Sequence, residues 1–252
     1  MIIGDQDTGT TYYTYRVENS IGAVMLMKEL ADTVWTTEKI EIKLIRANRA
    51  NVDVLDEVLI KDLAKWSQEE QDIVIGIKGK CYFNYDLVAK PETSFDVATL
   101  GEYLEVKLTS CAAGAKYTVH GAEYFERTTL FVQSETEETT NKEHPLSTGR
   151  YDQIILPVTD LTKIKIQKGE NSFDITKEEI LIQLTLNGEV KTLVDVEEAV
   201  ANNAVDVTAD VLSMFEVSDF IKMDVSEIDK MTIYAKSQYE FTVIRNRDKS
   251  DI

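Results

Sequence analysis

Few side chains in this chain have the type and spacing that chemistry requires. Asp7-Thr8-Gly9 matches the triplet of aspartic proteases, in which two carboxylates share one proton. Those enzymes set the triplet behind an apolar strand. Here Gly4-Asp5-Gln6 precedes it and no second Asp-Thr/Ser-Gly occurs. Only a homodimer could complete the dyad, so the expectation is that the chain is not an enzyme of this kind. Asp5-x-Asp7 also opens like a calcium-binding loop, but Thr10 stands where glycine is needed and Arg16 where the bidentate glutamate belongs. His120 and His144 are the only histidines, isolated from each other, and the two cysteines, Cys81 and Cys111, are distant from one another. That argues against a zinc site. Gly114-Ala-Lys116 is a fragment of a phosphate loop without its leading glycine or its Ser/Thr, and neither Gly-x-Gly-x-x-Gly nor Gly-x-Ser-x-Gly occurs. No catalytic residue and no cofactor site is expected.

What remains is binding of a coarser kind. The acidic clusters Glu69-Glu70, Glu135 to Glu138 and Glu197-Glu198 could hold divalent cations at a subunit contact, although such clusters are more often solvated faces. Tyr12, Tyr13 and Tyr15 are the best candidates for a subunit contact, because tyrosine buries area while keeping a polar handle. The bland alternative is that they pack on their own domain.

With 45 acidic against 27 basic residues, a net charge of -18 repels phosphate backbones and anionic lipid, so direct nucleic-acid binding is not expected. No apolar run approaches the roughly twenty residues that span a bilayer, and Met1-Ile-Ile-Gly-Asp lacks the basic start of a signal peptide. The two cysteines read as reduced, buried thiols of a protein made inside a cell. At 252 residues and 43% hydrophobic the chain can form one large or two modest domains.

The elements that would position these residues are mainly strands. Residues 1–20 read as an extended, tyrosine-rich arm leading into a first strand, and Ile21 to Leu30 fits a strand or a short helix. Ile40 to Ile45 alternates cleanly, with Ile40, Ile42 and Leu44 on one side. Leu55, Val58, Leu59, Leu63 and Trp66 recur at helical spacing behind Asp53, which predicts an amphipathic helix from Val54 to Trp66. Strand patterns return at 72–77, 81–85, 103–108, 116–120 and 127–132, then at 151–158, 161–166, 231–235 and 239–244, with weaker ones at 205–208 and 213–217. Ile180 to Val194 alternates on both sides of Asn187-Gly188, a dipeptide suited to a type I′ hairpin turn. Ser134 to Gly149 contains almost nothing to bury. The tail from Arg245 is charged and expected to fray.

These runs divide into an N-terminal β-sandwich with its arm (1–133), an acidic linker (134–150) and a C-terminal β-sandwich (151–252). The two halves echo each other. Thr37-Glu-Lys-Ile-Glu-Ile-Lys-Leu returns in outline as Leu161-Thr-Lys-Ile-Lys-Ile-Gln-Lys, an acidic and partly helical segment follows each, and each half closes on an aromatic-rich strand, Tyr124 to Val132 and Tyr239 to Ile244. The fold class expected is mainly β: two consecutive antiparallel, jelly-roll-like sandwiches with a few short helices. This layout resembles the small double jelly-roll major capsid proteins of tailless, membrane-containing bacteriophages. The resemblance covers most of the chain and rests on paired halves, short helices between strands and overall length; no motif carries it and no residue maps as functional. It implies a homotrimer, or a higher homo-oligomer, that tiles an icosahedral shell beside other virion proteins, located in the virion after synthesis in the host cytoplasm. Other phage structural β-proteins (spike, tail or head-decoration) and a carbohydrate-binding or hydrolytic β-sandwich are the alternatives.

Overall fold

The computed structural model describes residues 2–6, 11–29, 35–66, 80–97, 101–179, 220–236 and 238–252. The chain divides into two compact units. Among the described residues, the first holds those up to Gln133 together with Asn246–Ile252, and the second holds those from Ser134 to Arg245.

The first unit contains β1 (Ile2–Gln6), β2 (Tyr12–Val17), β3 (Ala23–Glu29), β4 (Lys39–Ile45), β5 (Val52–Leu59), α1 (Ile60–Trp66), β6 (Lys80–Asp86), β7 (Thr93–Phe95), β8 (Tyr103–Thr109), β9 (Lys116–Ala122) and β10 (Glu126–Thr128). Strands β1-β9-β3-β6 form one sheet and β5-β4-β8-β2 lie side by side in another, while β7 and β10 make a separate parallel pair. The chain crosses from sheet to sheet at each step from β1 to β4, again from β5 to β6 and again from β8 to β9. Two such interleaved Greek keys are a jelly roll.

β11 (Leu130–Thr139) begins in the first unit and continues into the second, which adds β12 (Glu143–Ser147), β13 (Gln153–Pro157), β14 (Leu161–Lys168), β15 (Asn171–Thr176), β16 (Phe220–Asp224), β17 (Lys230–Ala235) and β18 (Tyr239–Asp248). Here the orders are β16-β13-β18-β11 and β12-β17-β14-β15. Every strand of this roll has its counterpart in the first: β11 to β16 answer β1 to β6, and β17 and β18 answer β8 and β9.

Alternation builds both cores. Ile40, Ile42 and Leu44 of β4 are fully buried and lie opposite Leu108, Val106 and Leu104 of β8. Each such side chain contributes about 1.5–3 kcal/mol on leaving water. Ile164 of β14 lies opposite Ile233 of β17 in the same way, within a core completed by Leu156, Phe241 and Val243. The echo between 37–44 and 161–168 falls on β4 and β14, which are corresponding strands. It extends to a surface ion pair. Lys39 faces Leu59 across β4–β5 and bonds Glu57, two residues back along β5; Lys163 faces Thr176 across β14–β15 and bonds Asp174, again two residues back.

Several local expectations are corrected. The arm is sheet: β1 pairs β9 and β2 pairs β8. The helix starts only at Ile60, because 52–59 is a strand. Six residues of β4 (Lys39 to Leu44) span eight of β5 (Leu59 to Val52), so two bulges break the alternation. They leave Val54 and Leu55 both buried and give the apolar residues a helix-like spacing. Residues 134–150, expected as a linker, form the rest of β11, then β12 and a 3-10 turn at Thr148–Arg150. Sandwich strands bury only part of their residues, here Ser134, Thr139 and Leu146, and the turn buries Thr148. Tyr124 to Val132 falls on β10 and the start of β11, so the first roll closes on β9 instead. The tail does not fray: it completes β18 and a 3-10 turn at Lys249–Asp251, where the Asp248 carboxylate accepts from Ser250 N–H. The strands expected at 72–77, 205–208 and 213–217 and the hairpin at Asn187-Gly188 lie outside the described residues.

Candidate functional site

The densest group of chemically capable side chains is a buried polar knot in the first roll. β3 brings Lys28 inward and Glu38 immediately precedes β4; their side chains are 2% and 0% exposed and meet at 2.5 Å. Tyr117 of β9 donates its hydroxyl to Glu38 Oε1 at 2.9 Å and accepts from the Ala112 N–H at 2.8 Å. Thr36 N–H donates to Glu38 Oε2 at 2.7 Å. Trp35 packs against Tyr117 and faces the Lys28 ammonium 5.9 Å away. Burial would push the Glu38 carboxyl up, but Lys28 and the Thr36 N–H hold it below its ordinary value of 4.5. Burial, then the nearby Glu38 charge, pushes the free Cys111 thiol up to about 12. The knot carries a carboxylate, a phenol, an amine and a thiol, yet each of the first three is spent on another. That arrangement holds β3, β4 and β9 in register and suits structure better than turnover.

The solvent face of the β5-β4-β8-β2 sheet carries a lattice of charge. Glu41 takes Lys43 at 2.8 Å and Lys107 at 3.3 Å, and Lys43 also reaches Asp53 at 3.3 Å. Partial burial alone would raise Glu41, but its two lysines bring it below its ordinary value. At the β2 edge, Arg16 lies 4.2 Å over the Tyr103 ring and Lys107 lies 5.8 Å from that of Tyr12.

The strand β2 separates the three tyrosines. Tyr13 and Tyr15 point into the core, 5% and 6% exposed, with Tyr13 packing on both Tyr15 and Tyr117. Tyr12 points outward and is 54% exposed. Of the three, only Tyr12 is placed to touch another molecule. Strict alternation along β2 could have indicated this from the sequence.

The remaining candidates fall into place more simply. Of the acidic run on β11, Glu135 pairs with Arg245 at 2.6 Å, Glu137 accepts from Tyr151 and Glu138 accepts from Gln238. Among the described residues no group of three His, Cys, Asp or Glu side chains could hold a metal ion. Glu69-Glu70, Glu197-Glu198 and Asp7-Thr8-Gly9 lie outside the described residues. His144, expected to be solvated, is half-buried and edge-on to Phe241 at 5.4 Å. His120 is a half-buried residue of β9. Gly114, at φ +90°, makes the turn into β9, a backbone role that needs no phosphate.

A hollow of about 480 Å³ opens at one end of the first roll, lined by Glu18, Asn19, Ser20, Glu123, Tyr124, Phe125 and Arg127. Several of its polar groups already have partners: Asn19 donates to Glu123 at 3.0 Å and Ser20 to Asp96, behind the lining, at 3.3 Å, while Arg127 lies 3.5 Å from Asp96. Among the described residues the exposed large apolar side chains are Tyr12, Met25, the adjacent Tyr124 and Phe125, Leu130 and Phe173, and they make no row of aromatics along one sheet face. No helix among the described residues is long and apolar enough to cross a membrane.

No protein-family model matches the chain, and no curated protein matches it. Among solved structures, it is similar to the major capsid protein of Sulfolobus Turreted Icosahedral Virus, with a TM-score of 0.51 at 9% identity over 96% of this chain and 94% of that one. A chain of the atomic structure of the same virus gives a TM-score of 0.52 at 10% identity, over 96% of this chain and 87% of that one. The major capsid protein P2 of bacteriophage PM2 gives 0.48 at 10% identity, over 97% and 94%. At such identities the likeness is one of fold, and it is the fold anticipated from the layout of the sequence: the chain resembles the double jelly-roll major capsid proteins.

Proposed function

We propose that this chain is a virion structural protein, a major capsid subunit that assembles as a trimer and tiles an icosahedral shell. The observation that carries the reading is the presence of two successive jelly rolls of identical strand order. A viral major capsid protein matches them along nearly the full length of both chains. The first roll supports a building role from another side. The buried Lys28, Glu38 and Tyr117 are spent on one another, and in the described hollow Asn19 and Glu123 already bond each other.

The subunit contact includes Tyr12, which stands exposed at the β2 edge beside Lys107. Other copies of the chain and other virion proteins are the partners, and the subunit is made in the host cytoplasm before it enters the virion. A charge of -18 per chain concentrates negative potential when copies meet, so moderate salt or divalent cations promote assembly by screening or bridging carboxylates. The test is light scattering with mass determination across protein and salt concentration, on the native chain and Tyr12→Ala. The expected result is a trimer or larger assembly that Tyr12→Ala weakens while leaving the subunit folded. A Tyr12→Ala protein that assembles like the native one removes Tyr12 from the contact. A sugar-binding or hydrolytic activity in a protein that stays monomeric would replace the reading altogether.

A further inference from the structure

The last residues of the chain belong to the first unit although nearly the whole second roll precedes them. Their contacts there are specific. Lys249 is 11% exposed and pairs with Glu102, itself 9% exposed, and also donates to the Asp96 carbonyl at 2.9 Å. Its backbone N–H bonds the Thr129 carbonyl at 2.9 Å, and Thr129 donates its hydroxyl to Asp248 at 3.0 Å. Arg247 donates to the Gln133 side chain at 3.1 Å, and Gln133 in turn donates to the Asp53 carbonyl of β5 at 2.6 Å. Ile252 packs on the apolar core of the first roll, and its carbonyl accepts from Arg49. Without Lys249, the nearly buried Glu102 carboxylate would keep Arg46, 3.5 Å away, as its cation. Lys249 is thus the second cation of Glu102, and its loss also leaves the Asp96 carbonyl without that donor.

We propose that residues 246–252 are a clasp that holds the first roll closed, so that this roll reaches its full stability only in chains extended through β18. Residues 1–133 are synthesised first, yet the second cation of Glu102, the Lys249 donor to the Asp96 carbonyl and the Arg247 donor to the Gln133 side chain arrive last. Completion of the second roll therefore sets the firmness of the first, and a chain stopped short carries a loosened N-terminal roll. The clasp rests on contacts within one unit and stands whether or not the chain is a capsid subunit.

Hydrogen exchange read by mass spectrometry tests it on the native chain, on Lys249→Met, on Glu102→Gln/Lys249→Met and on a chain ended at Arg245. In Lys249→Met and in the shortened chain, amides of Asp96, Val97 and Tyr103–Thr109 should exchange at least about tenfold faster, while those of β14 and β17 keep their native rates. Adding Glu102→Gln should restore none of the protection, because it takes from the buried Arg46 its remaining carboxylate. Native protection at Tyr103–Thr109 in both Lys249→Met and the shortened chain, or an equal loss in both rolls, would overturn the clasp. If the shortened chain does not fold, the two full-length variants decide the matter alone.

Discussion

Replacing Lys28 by methionine should be among the most damaging single substitutions in the first roll. The side chain is 2% exposed and its ammonium sits 2.5 Å from a carboxylate that is 0% exposed. Methionine keeps most of the volume, so the loss is electrostatic. Glu38 is left charged among Trp35, Tyr117 and Cys111, with the Tyr117 hydroxyl and the Thr36 N–H and hydroxyl as neutral donors in place of the cation. Breaking such a pair costs about 3–5 kcal/mol, a large fraction of the roughly 5–15 kcal/mol that holds a domain together. Replacing both partners, as in Lys28→Met/Glu38→Met, should recover part of that loss, since no charge is then stranded. The two tryptophans, Trp35 and Trp66, both belong to the first unit, so denaturation followed by tryptophan fluorescence reports on that roll. The pH dependence has a definite sign. Lys28 holds Glu38 below its ordinary 4.5, so the stabilisation from the pair is complete above about 4.5 and is lost as pH falls through the lower folded value. The gap between native and Lys28→Met should therefore be widest near neutral pH and narrow below about 4.5. A loss under about 1 kcal/mol for Lys28→Met, or a double variant no more stable than the worse single one, would refute the reasoning.

Other outcomes follow from single contacts. A Cβ at Gly22 would lie 2.2 Å from the Thr93 carbonyl oxygen and 2.9 Å from the Tyr124 ring, so Gly22→Ala should lower stability by about 1–3 kcal/mol or more in a denaturant titration. Cys111, with its thiol pushed up to about 12, should resist iodoacetamide at pH 8 until the protein is unfolded, as peptide mapping at that residue would read. Tyr239 donates its hydroxyl to the Pro157 carbonyl at 2.7 Å. Tyr239→Phe should cost about 1 kcal/mol and up to 3, checked by calorimetry on the full chain.

The legible parts of the fold were those where one face is wet and the other dry. β4, β8, β17 and the first half of β18 alternate apolar with polar residues, and their cores follow from that pattern alone. The correspondence between 37–44 and 161–168 was visible for the same reason, and it falls on equivalent strands of the two rolls. β5 misled because two bulges turn an alternation of two into apparent helical spacing. Residues 134–150 read as a linker because Ser134, Thr139 and Thr148 fill buried positions that a hydrophobicity pattern leaves blank. The outward glutamates of β11 looked idle only because Arg245, Tyr151 and Gln238 lie distant in sequence. β15 offered no pattern, since nearly all its residues are exposed. A capping box was legible at its end but went unread: Thr176 and Glu179 bond each other's backbone N–H groups, and residues 177–179 are helical. The knot was not legible at all. Lys28, Glu38 and Tyr117 are brought together by sheet topology, and no sequence spacing encodes that meeting.

The central claim is that two like rolls in one chain make a subunit for building shells, and the mass of the native protein in solution tests it most directly. Static light scattering should return at least three times the 28.5 kDa chain mass, rising toward larger closed assemblies as divalent salt is added. A protein that stays at 28.5 kDa at high concentration and in divalent salt would contradict the claim.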